Sequence, residues 1–75
     1  MKLSQFLATN NLSRRSLAER AGVARTTIMR LLDHGMVPQH ATAQKLVAAT
    51  EGLVSEAELA AEAAEVRSTR NREAA

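Results

Sequence analysis

A chain of 75 residues with one aromatic side chain, Phe6, and no cysteine forms at most one small domain with an aliphatic core, and excludes both disulfides and thiolate chemistry. Its formal net charge is only +2, but residues 1–45 carry Lys2, Arg14, Arg15, Arg20, Arg25, Arg30 and Lys45 against Glu19 and Asp33, residues 46–66 carry Glu51, Glu56, Glu58, Glu62 and Glu65 with no basic residue, and residues 67–75 carry Arg67, Arg70 and Arg72 against Glu73. No apolar run approaches the roughly 20 residues of a spanning helix, so the expectation is a cytoplasmic protein without membrane contact.

Leu3, Phe6 and Leu7 share one face of a first helix that should end near Asn10-Asn11, residues that favour turns. Ser13 then stands where its hydroxyl can accept a bond from a first-turn amide, and Leu17, Ala18 and Ala21 follow as a narrow apolar stripe. Gly22 suits the left-handed corner that ends this helix, and Val23 plugs the turn. Ala18 supplies the small side chain that two steeply crossing helices need. A third helix is predicted from about Arg25 to Asp33 with Ile28, Leu31 and Leu32 inward, which turns Arg25, Thr26, Met29 and Arg30 outward.

After Gly35, Val37-Pro38 reads as a helix start, because proline at the first helical position lacks only an amide that is unpaired there anyway. That helix should reach about Glu51 with Ala43, Leu46, Val47 and Thr50 on one stripe, and Gly52 should stop it. Ser55 and Glu58 have the spacing of a capping box, opening a last helix over about 56–66 with Leu59, Ala63 and Val66 aligned and its glutamates on a solvated face. Residues 67–75 are polar with little to bury, which predicts a frayed or disordered tail after a domain of residues 1–66.

Two short helices joined through one glycine, over residues 13–35, with arginines on the second, form the pattern that sets a helix into the major groove of DNA. Leu17-Ala18, Gly22-Val23, Thr27-Ile28, Arg30, Gly35, Pro38, Thr42 and Lys45-Leu46 resemble the Cro and phage-repressor type of helix-turn-helix transcriptional regulators. Ala49-Thr50-Glu51-Gly52 with Val54 to Leu59 is similar to the short YdaS-like Cro relatives, and the resemblance covers residues 1 to about 59. It implies an all-α, lambda-repressor-like bundle of about five short helices that binds operator DNA, usually as a homodimer. Two positions depart from the pattern: Ala24 stands where the family usually has a serine N-cap, and Arg14 replaces the usual glutamine.

On this reading the base-contacting candidates are Arg25, Thr26, Met29 and Arg30. An arginine fork fits the O6 and N7 atoms of guanine, a threonine serves a base edge or a phosphate, and a methionine touches a thymine methyl. Phosphate-contacting candidates are Ser13, Arg14, Arg15, Thr27, His34, Gln39 and His40, set around helix starts and turns. Leu59, Ala60, Ala63 and Val66 are the candidate dimer interface, since small residues let two helices approach closely. Nothing predicts a metal site, a cofactor, a small-molecule ligand or catalysis, because His34 and His40 have no matching ligand set and no activated nucleophile is visible. The rival reading is a protein-interaction module, such as an antitoxin whose acidic last helix holds a basic toxin.

Overall fold

The computed structural model describes the backbone of residues 1–74 and the side chains of residues 1–70. Five helices follow one another: α1 (Leu3–Thr9), α2 (Arg14–Ala21), α3 (Arg25–His34), α4 (His40–Ala49) and α5 (Glu56–Ala74). No strand occurs among the described residues, so the fold is all-α.

Local chemistry sets most of the starts and stops. The Ser13 hydroxyl accepts the Ser16 amide at 3.0 Å and opens α2. Gly22, with φ of 71°, closes it, and the Val23 amide folds back to the Ala18 carbonyl at 3.0 Å. Gly35 ends α3 in the same left-handed way, and the Met36 amide returns to the Arg30 carbonyl at 3.0 Å. Ser55 and Glu58 exchange amide bonds of 3.0 and 3.1 Å, which completes the expected capping box of α5. The start of α4 differs from expectation. Gln39 is its N-cap, and Pro38 lies in the extended link before it, where a fixed φ is equally at home.

Leu3, Leu17, Ile28, Leu31, Leu46, Val54 and Leu59 are fully buried and meet around Phe6 and Ala18. The helix that gathers them is α5, which packs mainly on α3 and also on α4 and α1, while α2 packs on α3 and α4. The expected dimer stripe takes part in that packing. Leu59 and Ala63 are buried in the chain's own core, and Ala60 and Val66 are half-buried. A core this small uses the apolar side of its longest helix for closure.

Beyond the expected boundary at residue 66, α5 continues to Ala74; Ala75 and the side chains of residues 71–74 lie outside what is described. Arg67 and Arg70 meet the end of α3. A methyl group at Gly35 would lie 2.5 Å from the Ala63 carbonyl oxygen and 2.8 Å from the Arg67 nitrogen, so the α5 backbone passes directly over this glycine. One turn further on, the Arg70 guanidinium donates to the Asp33 carbonyl at 3.4 Å and faces the His34 ring. A cation beside the last carbonyls of a helix is favoured by their partial negative charge.

Glu62 departs furthest from the sequence reading, because it is buried instead of solvated. Its carboxylate accepts the Leu3 amide at 2.7 Å, the Ser4 amide at 3.3 Å and the Ser4 hydroxyl at 2.5 Å. Lys2, the local N-cap of α1, provides no side-chain bond. A carboxylate from the last helix therefore caps the first one.

Candidate nucleic-acid interface

The outward side of α3 is built by its inward side. Burying Ile28 and Leu31 completely and Leu32 partly fixes the helix rotation, and the 3.6-residue period then leaves Arg25, Thr26, Met29 and Arg30 exposed. All four predicted base-contacting residues thus share one surface, with Met29 40% exposed. Among the described residues neither Arg25 nor Arg30 enters an ion pair. Thr26, Arg30 and Asp33 follow at spacings of four and three, so the outward stripe ends on a carboxylate.

The start of α3 carries no side-chain cap. Ala24 has the extended conformation of an N-cap but no oxygen to offer, and neither Thr26 nor Thr27 replaces it. Two hollows flank the helix. One is lined by Arg15, Ala18, Glu19, Val23 and Arg25, and so brings the first turn of α2 beside the first turn of α3. The other has Thr27 and Arg30 on one wall and Met36, Val37, Pro38, Gln39 and Thr42 on the other. Met36 and Val37 are 54% and 50% exposed, and the sequence reading missed them as part of the surface. Apolar periodicity finds residues that face a core, and it carries no signal for apolar residues in an extended link.

The predicted phosphate-contacting set is dispersed. Thr27 and Gln39 line the second hollow and Arg15 lines the first, and all but Thr27 and Gln39 are engaged within the chain. The Ser13 hydroxyl is the α2 cap. Arg14 pairs with Asp33 at 2.8 Å and Arg15 with Glu19 at 3.3 Å. His34 faces Arg70, and the His40 ring meets the Glu56 carboxylate at 2.8 Å. Surface pairs of this kind contribute about 0–1 kcal/mol each.

The acidic residues of α5 are occupied elsewhere. Glu58 pairs with the Met1 ammonium, Glu62 caps α1, Glu65 meets the Lys2 ammonium at 2.5 Å, and Glu56 takes His40 and Gln44. The Glu65 contact, through its hydrogen bond and its charge, holds the Lys2 ammonium above the ordinary lysine range. Glu58, Glu62 and Glu65 thus collect negative charge along the α1 side of α5, while Arg25 and Arg30, which enter no ion pair among the described residues, sit on α3. No described helix is long and apolar enough to cross a membrane.

Comparison of the chain with protein-family models, with curated proteins and with solved structures yields no match. The functional reading therefore rests on the residues and their geometry.

Proposed function

We propose that this chain is a sequence-specific, double-stranded DNA-binding transcriptional regulator of the Cro type, which acts by occupying an operator and blocking or repositioning polymerase. The observation that carries the reading is the outward face of α3, where Arg25 and Arg30 stand exposed and, among the described residues, without an ion-pair partner, with Thr26 and Met29 between them. In this reading α3 enters the major groove as the second helix of a helix-turn-helix. Arg30 and Arg25 read guanine edges, Thr26 bonds a base or a phosphate, and Met29 lies against a thymine methyl. The positive charge of residues 1–45 draws the duplex in, and Thr27 and Gln39 beside the second hollow border its backbone.

One recognition helix reads only a few base pairs, so the proposal includes a homodimer on paired half-sites about 34–36 Å apart. Because Leu59 and Ala63 are committed to the core, its interface uses other surface. The antitoxin alternative draws on the acidic helix, but of its glutamates Glu62 is buried as the cap of α1.

Selection of bound duplexes from a randomised pool tests the reading, and enrichment of a short shared sequence is the expected result. Arg30→Ala should then lose preference at one base pair of that sequence, at a cost of about 1–3 kcal/mol. A pool that shows no enrichment at any salt concentration would sink the assignment.

A further inference from the structure

We propose that Asp33 is an internal substitute for a DNA phosphate, holding Arg14 away from the duplex backbone so that binding to arbitrary DNA lacks one ionic contact. The inference rests on the DNA-binding reading and assigns a function to a residue that reading leaves unused.

Asp33 is one of only two acidic residues in the basic first 45. It lies on the outward stripe of α3, three residues beyond Arg30, where a carboxylate would face the negatively charged backbone of a duplex seated on that helix. Arg14, the first residue of α2, reaches across the helix pair and places a guanidinium nitrogen 2.8 Å from the Asp33 carboxylate. An arginine at the start of a helix that leads into the recognition helix is well placed to neutralise a phosphate, and a carboxylate offers its fork the same anionic oxygens.

The pairing has the balance that such a device requires. Both side chains are nearly half exposed, at 45% and 44%, so the pair lies at the surface where a duplex phosphate would compete with Asp33 for Arg14. The position of Asp33 is nevertheless defined, because Arg70 of α5 donates to its main-chain carbonyl. Arg15 and Glu19 form a different kind of pair. They are one turn apart on a single helix and about 70% exposed, with nothing from another helix to hold either of them.

The consequence is a protein that binds arbitrary sequence less tightly than its count of basic residues suggests. Each phosphate contact adds about 0.9 to the slope of log affinity against log salt. Releasing Arg14 should therefore be visible in that slope, whatever the operator is.

The test is a salt titration of the full chain on a mixed-sequence duplex, using wild type, Asp33→Asn, Arg14→Ala and the double variant. Asp33→Asn should tighten binding about three- to eightfold near 0.1 M salt and steepen the slope by about 0.9, with the difference fading as salt rises. Arg14→Ala alone should leave the slope nearly unchanged, and in its background Asp33→Asn should bring no gain. Thermal melts of the four proteins establish that each is folded at the temperature of the titration. If wild type binds and Asp33→Asn leaves affinity and slope unaltered, the substitution of carboxylate for phosphate is wrong. If the gain persists in full without Arg14, Asp33 repels DNA directly and the pair has no such function. If no variant binds any duplex, the DNA-binding reading itself falls, and this proposal with it.

Discussion

Gly35 performs two tasks at once. Its φ of 69° ends α3, and the bare face of its Cα lets the α5 backbone pass where any side chain would strike the Ala63 carbonyl. Gly22 shares the first property, with a φ of 71°, but nothing lies within 4 Å of where its methyl group would go. Gly22→Ala should therefore cost about 1–2 kcal/mol for the left-handed conformation alone. Gly35→Ala should cost about 2–4 kcal/mol, because overpacking against main chain adds to that conformational cost. Urea titration of both variants measures the difference, and equal midpoints would mean that α5 does not bear on Gly35. The first task was legible in the sequence, since a glycine after an amphipathic run marks a helix end. The second was not, because no local pattern tells which later helix will cross a given turn.

Among the elements, α2 and α3 invite comparison because they are built alike and begin differently. Ser13 gives α2 its cap, whereas Ala24 leaves α3 without one. Ala24→Ser should stabilise the domain by about 0.5–2 kcal/mol, and a gain of 1 kcal/mol corresponds to roughly 4–8 °C in melting temperature at this size. An unmoved melting temperature would show that the α3 amides are already satisfied by water. Short-range signals such as Ser13, Gly22 and the Ser55–Glu58 pair, together with the inward stripe that fixes the rotation of α3, made four of the five helices and the outward arginines legible. The fate of α5 was hidden for a physical reason. A thin stripe of Leu59 and Ala63 serves equally well against a twin or against the chain's own helices, and Arg67 and Arg70 meet Gly35, Asp33 and His34, contacts that no local pattern announces.

For the molecule as a whole, the contact between Glu62 and the start of α1 joins the first helix to the last. Glu62→Ala strips the buried Leu3 amide of its acceptor and should cost about 2–3 kcal/mol, combining a lost cap with an unsatisfied donor. Glu62→Gln keeps one acceptor oxygen and should cost less. Against a total stability of about 5–15 kcal/mol the first loss is large, and calorimetry of the two variants checks the ranking. If both melt with the wild type, α1 is capped by solvent and Glu62 is dispensable. The same contact has a consequence for biosynthesis. A ribosome delivers Leu3 and Ser4 before Glu62, so their amides wait, open to water, for a carboxylate 59 and 58 residues further along the chain. Consolidation of the fold is therefore expected only after α5 has left the exit tunnel, and a nascent chain arrested before Glu56 should remain open to protease along its whole length.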